Sequence, residues 1–409
     1  MVNEKKLDEL ANYMKKNIKH IIEKFEVRPP GSNGELQAQK YMKKDLKQWS
    51  DETHLEEFKV APKAFMGFLP IIGTILILSI IFYWFFPLIA FLLDVFAIAI
   101  ILLEFGMYKK VLDPFFPKET SHNLIAIKKP KGNIQKRVIF GGHADAAYEW
   151  RYNTVKSRVM LRLVLIPSIG GLFLKLIFDI LNLIFNAGWV QGYVSIWGVL
   201  GIFELFFIPI IILIMRFSNF SVISPGANDN LSGCYVANSI MKYLSEEGIE
   251  FEKTELRLLN SGSEEAGLRG TKSYAKKHKE ELNEVETIYI ALDTFRDMDH
   301  IAVYSKDLNG TVSHDPRVCK LLEMAGKKAG YELEYSSIFL GSSDATAFTQ
   351  EGIPSSSLAA MDPAPPRYYH TRHDNYDDLD TECLKSGVKI MLKLFELYDK
   401  EGLPDLPSN

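Results

Sequence analysis

Thr254–Gly267 reads TELRLLNSGSEEAG, an apolar run that ends on two adjacent carboxylates, Glu264 and Glu265. A run of this length and composition reads as a buried strand. Two carboxylates at its end repel one another unless a cation or a proton settles at least one of them. Working outward from that pair, the chain repeats the arrangement of apolar stretch followed by a ligand-type side chain. His143 and Asp145 lie in FGGHADA, Asp229 in SPGANDNLSG, Asp293 in IALDTF and His370 in YYHTRHDN. Loops at the carboxyl ends of sheet strands build active sites, so the pattern predicts an α/β sheet with a metal centre along one edge.

The composition is compatible with such a fold. The chain has 409 residues, 24% charged and 47% hydrophobic, with a net charge of −4. That balance is ordinary for a folded protein and provides no broad basic surface, so nucleic acid is not expected as a partner. Three widely spaced cysteines, Cys234, Cys319 and Cys383, argue against a disulfide scaffold and fit a reducing compartment. Without a CxxC pair, a thiolate zinc site is not expected. The first residues, MVNEKKLDELANYMKK, lack an apolar core after their lysines and do not read as a cleaved secretion signal.

Apolar residues at helical spacing from Lys5 to Phe25 predict an amphipathic helix. RPPGSNGE then reads as a turn, with Ser32 or Asn33 and Glu35 capping a second helix to about Trp49, followed by an edge strand in THLEEFKVA. Composition changes abruptly after that. Met66–Leu103 carries a single charge, Asp94, and Val159–Met215 is apolar apart from Arg162, Lys175, Asp179, Glu204 and the interruption NAGWVQGY. Each stretch is long enough for two membrane crossings of about 20 residues. Lys175 and Asp179, four apart, can pair on one helix face, which favours local neutralisation over a transport role. The expected organisation is a catalytic α/β domain of residues 1–64, 107–158 and 217–409, with transmembrane hairpins at 65–106 and 159–216. Strands are expected in HNLIAIKK, KRVIFGGHAD, TELRLLN, ETIYIALD and IPSSSLAA, and helices over Asn230–Leu244, Asp315–Ala329, SSDATAFTQEG and Asp380–Tyr398.

A hydrolytic pair of divalent ions needs a bridging carboxylate, terminal His or carboxylate ligands and a nearby base for the water. The residues above can provide all of these. In HxD, Asp145 could hold the His143 imidazole from behind.

In this order, GGHAD, SPGANDNLSG, NSGSEEAGLRG, ALDTF and YYHTRHDN resemble the zinc-dependent aminopeptidases of metallopeptidase family twenty-eight, whose clan also holds glutamate carboxypeptidases and glutaminyl cyclases. The resemblance covers roughly Arg28–Thr53 and Asn123 to the C-terminal helix, and omits the apolar insertions. It implies a mixed sheet sandwiched by helices and two zinc ions, for which cobalt or manganese could substitute. Asp229 would bridge the ions, His143 and Asp293 would complete one, and Glu265 and His370 the other. Glu264 would be the base and Asp145 the orienting acid, while Asp344 in GSSDATAF would support the site. The YHT pattern falls on His370 rather than His373.

Asp297, Asp299, His300 and His314 form no comparable pattern and read as solvated loop residues. The acids from Asp374 to Asp380 read as capping the last helix, and Cys234 reads as a small buried residue.

The expected function is a membrane-bound exopeptidase that takes short, apolar peptides by their amino end. A carboxypeptidase, a glutaminyl cyclase-like enzyme and a silent membrane scaffold are the alternatives. Arg269, Arg367 and Arg372 are the candidates for recognising a terminal carboxylate. Lys63, Lys109, Lys110, Lys156, Arg158, Arg162 and Arg216 flank the apolar stretches, whereas the turns near Pro87 and Gly188–Tyr193 carry no Lys or Arg. The positive-inside rule then places both termini and the catalytic domain in the cytoplasm. Trp150, Tyr152, Trp189 and Tyr193 are available as interfacial residues. The second apolar stretch lies in sequence between Asp145 and Asp229, so its ends are expected to leave from near the site. No oligomeric state is implied.

Overall fold

The computed structural model describes residues 3–154, 158–186, 190, 193–308, 310–338, 341–364 and 366–406. Lys156, Gly188 and Trp189, which enter the topology argument above, lie outside the described residues. The chain opens with helices α1 (Glu4–Lys24) and α2 (Asn33–Trp49), then strand β1 (Glu52–Val60), helices α3 (Ala64–Tyr83) and α4 (Pro87–Ile100), and strands β2 (Glu119–Lys128), β3 (Lys136–His143) and β4 (Tyr148–Trp150). It continues with α5 (Arg158–Phe185), α6 (Ile196–Leu205), α7 (Ile208–Met215), β5 (Ser218–Ile223), α8 (Gly233–Glu246), β6 (Thr254–Ser261), α9 (Arg269–Lys277) and α10 (Lys279–Leu282). The remainder is β7 (Glu286–Phe295), β8 (Ile301–Asp307), β9 (Val312–Ser313), α11 (Pro316–Ala329), β10 (Glu334–Ser337), α12 (Ala345–Gln350), β11 (Ser355–Ala360) and α13 (Thr381–Glu401).

These elements fall into two compact units. The first comprises Met1–Pro62, Lys118–Tyr148 and Ile223–Asn409; the second comprises Lys63–Pro117 and Glu149–Val222. The second unit therefore reaches further into the flanking sequence than the apolar spans themselves.

In the first unit one mixed sheet runs β1-β2-β6-β3-β7-β11-β8-β10, with β9 on β8. β6, β3, β7 and β11 are mutually parallel, and β2 and β8 border them antiparallel. The parallel strands are buried on both faces, as the run TELRLLN requires. One face packs on α1, α2, α8, α11 and α13 through residues such as Leu10, Met42, Val236, Leu322 and Leu394, and the other packs on α9 and α12 through Tyr274 and Phe348. Helix starts follow the local chemistry. Ser32 accepts from the Glu35 amide at the start of α2, Asp315 precedes Pro316, and Asp380 accepts from the amides of Glu382 and Cys383 at the start of α13. The mixed sheet flanked by helices is the fold expected from the sequence, although β8, β9, β10 and α9 are not among the elements expected there. α8 also begins later than the predicted Asn230, because residues 227–232 form a separate irregular turn that carries Asp229.

Apart from most of the two-stranded sheet β4–β5, the second unit is helical. Four stretches, Ala64–Tyr83, Pro87–Gly106, Val159–Phe185 and Ile196–Met215, are long and apolar enough to cross a membrane. Twenty helical residues span about 30 Å, the hydrocarbon thickness of a bilayer. The last stretch is not one helix. Pro209 at the start of α7 lacks an amide proton, and the chain breaks at Phe206 and Phe207.

Candidate metal centre

The parallel strands deliver their last residues to one edge. His143 ends β3 opposite Ser261 at the end of β6, and Gly141 of β3 pairs with Ala291 of β7, so Asp293 arrives two residues later at the same level. Glu264 and Glu265 follow β6, Asp229 enters on the turn before α8, and His370 comes from the loop after β11. Ligand atoms of three overlapping sets lie within 4.8 Å of one another: His143 with Glu264 and Glu265, His143 with Asp229 and Asp293, and Asp229 with Glu265 and His370.

Asp229 lies between the two imidazoles. Its Oδ1 lies 3.2 Å from His143 Nε2 and its Oδ2 lies 3.0 Å from His370 Nε2, while Glu265 Oε1 is 3.2 Å from that same His370 nitrogen. Glu264 Oε2 is 3.9 Å from His143 Nε2. Ligands sharing a tetrahedral zinc with bonds of ~2.0–2.1 Å sit about 3.3 Å apart, which is the spacing found here. Four carboxylates against two imidazoles, all but closed to solvent, form a donor set in need of cations. Its mixture of oxygen and imidazole nitrogen suits zinc.

Backbone amides hold the ligands in place. Asp145 accepts from the amides of Glu264 (3.1 Å) and Glu265 (3.0 Å) and lies 3.4 Å from His143 Nδ1, so a single carboxylate orients three site residues. Asp374 does the same for the turn that carries Asp229. It is fully buried and accepts from the amides of Asn228 and Asp229 and from the Asn228 side chain. Asp374 therefore belongs to the site and does not cap the last helix; of that acidic run, Asp380 is the cap. Glu35, expected as a capping residue, is buried and accepts from the Ser263 amide, the Ser121 hydroxyl and the Gly31 amide, so it pins the loop that carries Glu264. The RPPGS turn does more than reverse the chain: Arg28 is buried and donates to the carbonyls of Ala144 and Gly226, which flank the His143 and Asp229 loops. Asp344 accepts from Ser261 and Thr271 and braces the end of β6.

The backbone is strained at this edge. Ser263 (φ +55°), Thr294 (φ +45°) and His370 (φ +51°) occupy the left-handed region, which side chains other than glycine rarely adopt. Ser263 and Thr294 adjoin Glu264 and Asp293, and His370 is itself a candidate ligand; strain of this kind concentrates at functional sites.

Burial sets the electrostatics. It pushes Glu264 and Glu265 well above the usual carboxylate range, aided by neighbouring charges, and it pushes Asp293 to about 7 with help from Asp229. Burial acts the same way on Asp229, but the two imidazoles outweigh it and hold that carboxyl well below its ordinary value. His143 is disfavoured as a cation by burial, yet Glu264, Asp145 and Asp229 raise it well above the ordinary imidazole value.

The remaining candidates lie elsewhere. His373 Nε2 contacts Arg367 at 2.9 Å and belongs to none of the three sets. Arg269 is buried and donates to the Gly267 carbonyl, and Arg372 is exposed. Asp297 accepts from the Tyr368 hydroxyl and the Asp362 amide. His314, expected as a solvated loop residue, is instead buried, with Nε2 3.2 Å from Asp307 and Nδ1 bonded to Thr349, so it is a structural histidine of the β8–β9 corner. Burial pushes the Cys234 thiol up to about 12, as suits a packed residue. Tyr369, not anticipated, stacks its ring on His370 at 3.9 Å.

Comparison with known proteins places these observations. Residues 215–395 match peptidase family M28. Over 187 residues, 44% of this chain, the sequence is 29% identical to Aminopeptidase YwaD of Bacillus subtilis (strain 168); the match spans 40% of that relative's length. Among solved structures, an aminopeptidase from Aneurinibacillus sp. strain AM-1 superimposes with a TM-score of 0.57 at 16% identity, covering 97% of this chain and 96% of that one. A glutaminyl cyclase from Bacteroides thetaiotaomicron does so with 0.56 at 14% identity, covering 94% and 96%. At such identities the structural matches establish the fold.

Proposed function

We propose, from the match of residues 215–395 to peptidase family M28, that the chain is a membrane-bound zinc exopeptidase that removes amino-terminal residues from short peptides. Asp229 carries this reading: its two oxygens face two different imidazoles, so it could serve a cation beside each of them. His143 and Asp293 would hold one zinc, and Glu265 and His370 the other. Bound there, such ions supply Lewis-acid polarisation of the scissile carbonyl and lower the pKa of the attacking water.

The protein's own groups do the rest. Glu264, whose carboxylate stands 3.9 Å from His143 Nε2, takes the proton of the attacking water and passes it to the leaving amine. Asp145 holds the Glu264 and Glu265 amides and the rear of the His143 ring, and Asp374 with Arg28 holds the Asp229 turn. Tyr369 fixes the face of His370 by stacking.

The four apolar stretches provide membrane attachment. An even number of crossings leaves both termini on one side, and the lysines and arginines that flank the spans favour the cytoplasmic one. Because the second pair is inserted in sequence between Asp145 and Asp229, peptides with apolar tails are the expected substrates. A reporter fused at the C-terminus that is active only outside the cytoplasm would overturn the orientation.

Metal analysis of the purified protein, combined with mass spectrometry of a peptide mixture before and after incubation, tests the activity. Two zinc ions per chain with ladders shortened from the amino end are expected. Shortening from the carboxyl end, ring closure at amino-terminal glutamine, or no change would replace this reading with a carboxypeptidase, a cyclase or a silent scaffold.

A further inference from the structure

The helical unit holds a second charged cluster that peptidase chemistry does not use. Lys175 of α5 is buried, and its ammonium donates to both oxygens of Asp94 on α4 at 2.9 Å, to Asp179 one turn along at 2.6 Å and to the Ser79 hydroxyl of α3 at 2.7 Å. Glu204 of α6 faces the same nitrogen at 3.6 Å. The side chains of Asp94, Asp179 and Glu204 have no solvent exposure. Asp94 lies seven residues into the stretch that starts at Pro87 and Glu204 eight into the one that starts at Ile196, about 10–12 Å along each helix axis.

The pairing of Lys175 with Asp179, which the sequence offers as a self-contained neutralisation, is thus only half of the group. An ammonium has three N–H bonds, and Asp94, Asp179 and Ser79 take all of them. Glu204 is left with neither oxygen hydrogen-bonded, and Asp179 Oδ1 is likewise without a partner. Among the described residues, the other polar groups that face the cluster are neutral and otherwise engaged. Tyr83 donates to the Trp197 carbonyl, and Asn182 donates to the Tyr83 carbonyl. α7, packed on α3 and α5, is IPIIILIM and brings no titratable group. Among the described residues, one cation therefore stands against three carboxylates without solvent exposure, where an uncompensated carboxylate is strongly disfavoured.

We propose that this cluster is a proton-binding site within the membrane-spanning helices: Lys175 is its fixed cation, one carboxylate of the Asp94–Asp179 pair balances it, and two protons reside on the remaining carboxyls, one of them on Glu204. Two protons bring the net charge of the group to zero. The proton on Glu204 is the exchangeable one, because Glu204 alone among the three accepts no hydrogen bond from the ammonium.

Infrared spectroscopy of the full-length protein in lipid vesicles tests the proposal through the carbonyl stretch of protonated carboxyl groups, identified by its shift in D2O. At neutral pH the wild type should show this band, and Glu204→Gln should lose one component while its helical circular dichroism stays unchanged. Lys175→Gln should gain a component, since the carboxylate it balanced must then be protonated. If Glu204→Gln fails to insert, Lys175→Gln decides alone. An unchanged carboxyl region in both variants overturns the proposal. Stoichiometric binding of radioactive sodium to the wild type, lost in Glu204→Gln, would also overturn it in favour of a metal cation.

Discussion

In the sheet unit, Phe140, Leu258 and Ile290 are fully buried; in the helical unit, Phe96, Ile166 and Phe173 are each more than half exposed, while Asp94, Lys175, Asp179 and Glu204 are sealed inside. The two units are patterned inside-out relative to one another, as expected if one is solvated by water and the other by lipid. Yet each gathers three or more carboxylates in its interior. In the sheet unit, imidazoles stand beside the carboxylates, a donor set suited to divalent metal. In the helical unit the counter-charge is one fixed ammonium, and among the described residues no imidazole or thiolate extends the set. The chemistry of a buried acidic cluster is thus decided by the groups placed beside it and not by the acids.

The sharpest test of that contrast replaces one glutamate by glutamine in each unit. Glu264→Gln should retain metal and lose hydrolysis by about 100-fold or more, since it removes a proton carrier and no proposed ligand. Glu204→Gln should leave peptide hydrolysis within about twofold, because Glu204 belongs to the other compact unit and shares no partner with the metal-centre residues. Comparable losses in the two variants would break the division of labour.

A smaller effect is expected one layer out from the ligands. Asp374→Asn keeps the shape but weakens the carboxylate that accepts from the Asn228 and Asp229 amides. A fall of about 10-fold in metal affinity should follow, read by competition with a chelator, since partners of metal ligands are typically worth about 10–100-fold. An unchanged affinity would remove Asp374 from the site.

The smallest expected effect lies on the sheet unit's surface, where Glu56 bonds His278 and Lys277. Burial pushes the Glu56 carboxyl up, but these partners outweigh it and hold it at about 2, against an ordinary 4.5. Its contribution to stability is complete above 4.5 and is lost as pH falls through about 2. His278, bonded to Glu56, is raised above 6.5, so its contribution is complete below 6.5 and is lost as pH rises through the raised value. Glu56→Gln should therefore lower unfolding stability most between pH 4.5 and 6.5, by less than about 1 kcal/mol because the pair is solvent-screened. An equal loss at about pH 2 and about pH 5.5 would refute the linkage.

Much of the site is legible in the order of the residues. His143, Asp229, Glu264, Glu265, Asp293 and His370 each follow an apolar run or sit in a Gly-rich turn, and the fold brings all six together. Arg28, Glu35 and Asp374 read locally as turn, cap and cap, although each reaches a loop of the site. Asp374 stands four residues after His370, but nothing local separates it from Asp377 or Asp378. In the long apolar stretches Lys175 and Asp179 pair by their spacing, whereas no spacing links Asp94 and Glu204, on other helices, to them.

Strand positions, stretches too apolar for water and side chains able to bind metal can all be read along the chain, because periodicity, apolar length and ligand type are properties of neighbouring residues. It took the folded arrangement to set Asp229 between two imidazoles, to bring Asp374 and Glu35 onto the loops carrying it and Glu264, and to make three acids from three helices share one lysine. Those partners meet through backbone amides and a single ammonium, groups that select an acceptor by geometry and leave no signature in the order of the residues.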